Sequence, residues 1–154
     1  YCSQELVHAI AALGAKCSDS AEERDLAPTF YENARAAIFA NKVCEPQINT
    51  LQALLCLSLY ELGDGNALAS WMLSGMALRM GYDLGFQLNP QDWTMETPHS
   101  VMAKTDIMVR SRIYWGCYIV DHFVSLIMGR PVTVRKTEAT IPSSKMLPNA
   151  ENID

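Results

Sequence analysis

This sequence is short of positive charge. Twelve lysines and arginines stand against seventeen aspartates and glutamates, a net charge of −5 over 154 residues. Affinity for nucleic acid comes mainly from basic side chains that displace counterions from phosphates. The chain is therefore not expected to bind DNA with its own surface. Its later basic residues, Arg110, Arg112, Arg130, Arg135 and Lys136, read as a solvated face or as internal ion-pair partners. Long apolar runs are missing as well. No stretch approaches the ~20 residues that a membrane helix needs, and Asp121 interrupts the longest one.

Cysteine pairs are also missing. The five cysteines, Cys2, Cys17, Cys44, Cys56 and Cys117, are odd in number and contain no C-x-x-C arrangement. This excludes a disulfide scaffold and a zinc knuckle and points to a reducing, intracellular setting. Catalytic patterns are equally scarce. His8, His99 and His122 lack the spacing of metal ligands, no serine occupies a G-x-S-x-G elbow, and the acidic pair Glu22-Glu23 lies in a polar stretch. The chain is not expected to be an enzyme, nor to hold a cofactor or metal.

Hydrophobic residues make up 49% of the chain, enough for a folded core. Their spacing predicts an all-α protein of about five helices. A first helix spans Gln4 to Leu13, with Leu6, Ile10 and Leu13 on one stripe and Gly14 as its C-cap. The acidic loop Ser18–Asp25 precedes a second helix that starts at Pro28 and turns Phe30, Ala34, Ala37 and Ile38 inward. Asn49 or Thr50 caps a third helix, which carries Leu51, Leu55, Ser58, Leu59 and Leu62. The tight turn Gly63-Asp64-Gly65-Asn66 leads to a fourth, with Leu68, Trp71, Gly75, Leu78 and Tyr82 in a stripe. These two form an antiparallel hairpin, and Gly75 predicts close approach of another helix.

A loop from Asn89 to about Thr105 leads to the long fifth helix, about Asp106 to Met128. One stripe has Ile113, Cys117, Val120, Val124 and Ile127; an adjacent one has Trp115, Ile119, His122 and Leu126. Two apolar stripes predict burial on two sides. The expected architecture is an orthogonal or antiparallel array around this buried long C-terminal helix. Val132-Thr133-Val134 is expected to be extended, and Pro142 and Pro148 to keep the tail irregular.

Candidate structural or effector-pocket residues are Trp71, Arg79, Asp83, Arg112, Trp115, Tyr118, Asp121 and Arg130. Arg79 and Asp83 have the i, i+4 spacing of a surface pair. Asp121 and Arg130 are charges in apolar surroundings, where a charge needs a partner. The favoured reading is a structural ion pair that fixes the Gly129-Arg130-Pro131 exit; the sharper one is a pocket beside Trp115, Tyr118 and Asp121 for a small metabolite.

Three stretches also carry a family resemblance: Leu51-Gln52-Ala53-Leu54-Leu55, Trp71 to Phe86, and Val109 to Pro131. Together they resemble the fungal-specific transcription factor domain, the regulatory middle region of fungal binuclear zinc-cluster factors, over about Phe30 to Pro142. Departures are Arg110-Ser111-Arg112 where three basic residues are common, Gln87 in place of a histidine, and His122 in place of a basic residue. Tyr114-Trp115 matches the usual aromatic pair. The resemblance implies a single, partial helical regulatory domain over residues 1–154 of a nuclear regulator of RNA polymerase II transcription, nearest to regulators of carbon or nitrogen metabolism. It implies zinc and DNA contacts in an N-terminal cluster that this fragment, which begins at Tyr1, does not contain. Contacts with other regions of the same protein, a small-molecule effector and a homodimer are the other partners it implies, with no membrane. A competing reading, a tetratricopeptide-like peptide-binding scaffold, rests on the hairpin and Trp71.

Overall fold

The computed structural model describes residues 3–89 and 104–141. Five α-helices account for most of them: α1 Gln4–Lys16, α2 Ala21–Asn41, α3 Ile48–Gly63, α4 Ala67–Asp83 and α5 Lys104–Met128. A short 3₁₀ turn, Lys136–Glu138, follows, and the described residues contain no strand. The all-α class and the five-helix count are those read from the sequence. Most of the expected loop after Asn89, and the tail from Pro142, lie outside the described residues.

Helix α3 packs against all four other helices. Its buried face carries Leu51, Leu54 and Leu57, all fully enclosed, together with Thr50, Ala53 and Ser58. Against it, α4 presents mostly small residues: Ser70, Ser74, Ala77 and Gly81. The Ser58 hydroxyl donates to the Ser70 carbonyl at 2.9 Å, with the two hydroxyl oxygens 3.0 Å apart. Two buried polar groups are thus satisfied across the hairpin. The expected α4 stripe is displaced as a result. Leu68 is 60% exposed and Trp71 half-buried, because the α3–α4 contact selects small side chains that let backbones approach, whereas a stripe drawn through the largest residues does not find it.

Several helix ends also differ from expectation. α1 continues through Gly14 to Lys16, drawn on by tertiary contacts. The Lys16 ammonium pairs with Asp64 and lies 4.1 Å from the centre of the Tyr60 ring. Ile10 points outward, and Glu5, Leu6, Ala9 and Ala12 form the buried face. α2 begins at Ala21, so Pro28 lies inside the helix. An internal proline forfeits one ladder hydrogen bond. The segment before it is held by Arg24, whose guanidinium donates to the carbonyls of Ser18 and Asp19 at 2.7 and 2.8 Å, and by Glu22 and Glu23 at the positive end of the helix dipole. The expected inward face of Phe30, Ala34, Ala37 and Ile38 is observed, extended by Ala27 and Tyr31. α3 starts at Ile48 with Gln47 in the N-cap position, and Thr50 lies in the core and does not cap. Asn66 does occupy the N-cap position of α4, but its amide donates to Glu61 Oε2 at 2.8 Å and caps no helical N–H.

Three helices terminate in one way. Gly65, Gly85 and Gly129 all have positive φ, between 62° and 80°. In each case the following N–H reaches back to the carbonyl five residues earlier: Asn66 to Glu61, Phe86 to Gly81 and Arg130 to Ser125, at 2.9, 3.1 and 3.0 Å. This is the Schellman closure, which favours glycine because L side chains clash in the left-handed region.

α5 is buried along Ile113, Cys117, Val120 and Val124. The second stripe is not: Ile119 is 66% and Leu126 79% exposed, and Ile127, expected inside, is also exposed. The segment after α5 folds back over the exit of α4. Thr140 and Ile141 donate their N–H groups to the Gln87 carbonyl, and the Asn89 N–H bonds to the Thr140 hydroxyl at 2.8 Å. Val134 and Ile141 are both buried by this return.

Candidate regulatory site

The motif residues converge where α4 and α5 run antiparallel. At one end, near the N-terminus of α5, Arg110 donates to the Leu84 carbonyl at 3.1 Å and lies 5.3 Å from the centre of the Phe86 ring. At the other, Arg130 lies over the Trp71 ring at 4.1 Å. A guanidinium over an aromatic face is attracted by the ring quadrupole. Two arginine–aromatic contacts therefore clasp the helix pair at both ends. Each clasp adjoins one of the Schellman glycines, Gly85 or Gly129. The Asp-Leu-Gly-Phe and Gly-Arg-Pro words thus encode helix terminations together with the side chains that fasten them.

Asp121 is 3% exposed. Its Oδ2 accepts the N–H groups of Thr133 and Val134 at 2.7 and 2.8 Å. The expected ion pair with Arg130 is not formed. The aspartate instead satisfies two backbone donors that the irregular Val132-Thr133-Val134 segment cannot pair in a sheet, and the arginine takes an aromatic partner. The Tyr114 hydroxyl donates to the Arg135 carbonyl at 3.3 Å, a second tie to the same segment. Burial, chiefly, pushes the Tyr114 phenol up to about 12 and the Cys117 thiol also to about 12, Asp121 adding to the latter. A cavity of about 10 Å³ among Leu78, Gly81, Tyr82, Tyr114 and Cys117 is about the size of one water and no larger.

The other predicted residues lie elsewhere. Trp115 and Tyr118 meet edge-to-face at 5.2 Å, Tyr114 packs on the other side of Trp115, and Tyr118 stacks on His122 at 3.8 Å, a half-exposed ladder along α5. Arg112 is on the exposed side of α5. Arg79 does not reach forward to Asp83. It folds back to the Gly75 carbonyl at 3.1 Å, and its guanidinium occupies the space over that glycine. Among the described residues only Arg79 comes within 4 Å of a Cβ added at Gly75; the close approach of another helix is at Gly81, where an added Cβ would lie 3.2 Å from Leu51 Cδ1. Arg79 and Asp83 instead line a groove of about 260 Å³ with Val43, Pro46, Met76 and Met80.

Sequence reasoning missed a buried charge. Glu5 is fully buried and pairs with Lys42 at 2.6 Å, joining the start of α1 to the end of α2. Burial pushes the Glu5 carboxyl up, but hydrogen bonds from Lys42 and from its own backbone N–H outweigh it and hold the group below the ordinary carboxylate range. The i, i+4 run Glu5–Ala9 inside an otherwise small-residue face was the available signal. Tyr31, stacked on Tyr60 at 4.7 Å and bonded to Glu61, was likewise unforeseen.

Among the described residues, no three His, Cys, Asp or Glu side chains converge to hold a metal ion, and no helix is long and apolar enough to cross a membrane. The four described cysteines are free thiols. The geometry is thus that of a helical domain whose motif residues fasten helices together.

The sequence profile described as "fungal specific transcription factor domain" matches residues 1–154, and the chain belongs to that family. It is 44% identical over its full length to an uncharacterized transcriptional regulatory protein of Schizosaccharomyces pombe, of which it covers 43%. It is 38% identical, again over its whole length, to the TY1 enhancer activator of Saccharomyces cerevisiae, covering 20% of that protein. It is 30% identical over 99% of its length to the nitrogen assimilation transcription factor nirA of Emericella nidulans, covering 17%. The chain thus spans less than half the length of these relatives. No solved structure matches it. It is a regulatory domain of the fungal transcription-factor class and not an enzyme. The scaffold reading falls with this finding, and the unequal helices, from 13 to 25 residues, do not form a series of equivalent hairpins.

Proposed function

We propose that this domain is the regulatory middle region of a longer nuclear protein that binds DNA through an N-terminal zinc cluster and controls RNA polymerase II transcription of carbon or nitrogen metabolism genes. The observation that carries this reading is the full-length match to fungal regulators two to six times longer than the chain. The net charge of −5 supports assigning DNA contact to another part of the protein. In this reading zinc belongs to that other part too. Within this reading, the single domain of residues 1–154 transmits a signal through contacts with other regions of the same polypeptide.

Deleting residues 1–154 from the intact protein tests this. Reporter transcription should change while mobility-shift binding to the specific DNA site persists. Unaltered transcription would overturn the assignment.

The groove beside α4 favours a small-molecule effector as the signal. It joins an apolar floor of Val43, Met76 and Met80 to a cation and an anion, Arg79 and Asp83, that do not pair with each other. Apolar walls with a few polar groups are the usual make-up of a ligand site. A thermal-shift panel of small nitrogen and carbon metabolites should contain a compound that stabilises the intact protein but not its Arg79→Ala variant. A panel without any stabiliser would remove this reading.

A further inference from the structure

We infer that the groove beside α4 holds a soft monovalent metal ion, of the copper(I) class, on three sulfur atoms: the Cys44 thiolate and the Met76 and Met80 thioethers. All three residues line the same groove of about 260 Å³. Met76 and Met80 stand at i and i+4 on α4 and so share a face. Cys44 comes from the segment between α2 and α3. Its thiol is free and exposed, Met76 is half-buried, and Met80 is 6% exposed.

The donor types select the metal. Zinc takes thiolate, imidazole and carboxylate ligands, whereas a thiolate with two thioethers is a set of soft donors that suits copper(I). A thioether carries neither charge nor proton, so such a site shows neither as clustered acids nor as paired cysteines. Charge balance agrees. One thiolate neutralises a monovalent ion, and Arg79 and Asp83 offset each other, so the loaded groove stays neutral against Val43 and Pro46. A divalent ion would leave surplus positive charge beside the Arg79 guanidinium, an unfavourable contact in an apolar setting. Binding displaces the thiol proton to solvent.

The local fold leaves these side chains room to act. The α3–α4 contact is made by small residues, and Met76 is not among the buried residues of α4. Methionine is unbranched with three rotatable bonds, so its sulfur can turn to a ligand without displacing the helix. Cys44 lies outside any helix, where no helical ladder fixes its backbone. The metal uses the sulfur donors of the groove, and the metabolite proposed above uses its charged pair. The two readings therefore stand or fall separately.

The test uses the intact protein under anaerobic conditions with ascorbate, free copper(I) being set by a bicinchoninate buffer. Iodoacetamide labelling of Cys17 and Cys44 is followed by peptide mapping. Copper(I) should slow alkylation of Cys44 at least about tenfold, because the free thiolate is the reactive form, and should leave Cys17 unchanged. The double variant Met76→Leu, Met80→Leu exchanges side chains of similar volume. It should remain folded and label at Cys44 as before without metal, but lose the protection by copper(I). Arg79→Ala should keep that protection while losing any stabilisation by a metabolite. Zinc should not protect Cys44. Equal labelling of Cys44 with and without copper(I) overturns the inference. So does protection that survives in the M76L/M80L variant, which would mean that the thiolate alone captures the ion, and so does equal protection by zinc.

Discussion

The carboxylate of Asp121 and the backbone of Val134, thirteen residues later, are joined by a 2.8 Å hydrogen bond in which a helix side chain takes the place of a neighbouring strand. The Thr133 N–H shares the same oxygen. Asp121→Ala leaves one buried and one part-buried donor without an acceptor and should cost about 2–4 kcal/mol, hydrogen bonds to a charged group contributing about 1.5–3 kcal/mol each. Asp121→Asn keeps an acceptor oxygen and should lose less. Urea unfolding of the two variants, compared at equal m-value, checks the order.

Gly75 and Gly81 both lie in α4, yet their alanine variants should move stability in opposite directions. At Gly75 the added methyl meets only the tip of Arg79, which can swing away, so Gly75→Ala should gain about 0.5–1 kcal/mol of helix propensity. At Gly81 it meets a leucine with no exposed surface, Leu51. Overpacking of this kind costs about 1–3 kcal/mol, so Gly81→Ala should be neutral to destabilising. Thermal unfolding distinguishes the two.

This contrast shows how far the sequence could be read. Helix number, the α3–α4 hairpin and the turn glycines follow from periodicity and from residues with special backbone freedom, both local properties. What the chain folds against is not local. Leu68, expected inside, is exposed and Ser70 is buried, because the tightness of the α3–α4 contact, not residue hydrophobicity, selects the face. Asp121 was recognised as a buried charge needing a partner, but its partners are backbone groups, which any sequence would supply and none announces. Arg110 and Arg130 were conspicuous; their aromatic partners Phe86 and Trp71 lie 24 and 59 positions away along the chain and no spacing rule connects them.

Thiol reactivity should divide the cysteines by burial. Cys17 and Cys44 are exposed, whereas burial pushes the thiols of Cys56 and Cys117 up, Cys117 to about 12. The thiolate is the reactive form. Iodoacetamide at neutral pH should alkylate Cys17 and Cys44 in the folded protein and reach Cys117 only after denaturation, as peptide mapping would report. Early modification of Cys117 would contradict the packing of α5 on α4.

Acid should loosen the α1–α2 pair through Glu5. Its folded pKa is held below the ordinary carboxylate value by the hydrogen bonds from Lys42 and the backbone, which outweigh burial. The carboxylate therefore contributes stability that is present above the unfolded pKa and lost as pH falls through the folded one. Stability should decline below about pH 4.5 with a slope that Glu5→Gln reduces. That variant should also be destabilised at pH 7, since it leaves the Lys42 ammonium without its anion. Urea midpoints between pH 3 and pH 7 provide the measurement.

The return of Thr140 and Ile141 to Gln87 sets a timetable for synthesis. The exit of α4 bonds to residues 51 or more positions further along the chain, so a ribosome must deliver all of α5 and the segment beyond it before that corner can close. Until then the backbone groups of Gln87 and Asn89 lack these partners, a window in which nascent chains are prone to mispairing. Residues around Ile141 therefore act as a latch that is shut last, and a message truncated just before them would yield a chain with every helix and no closure.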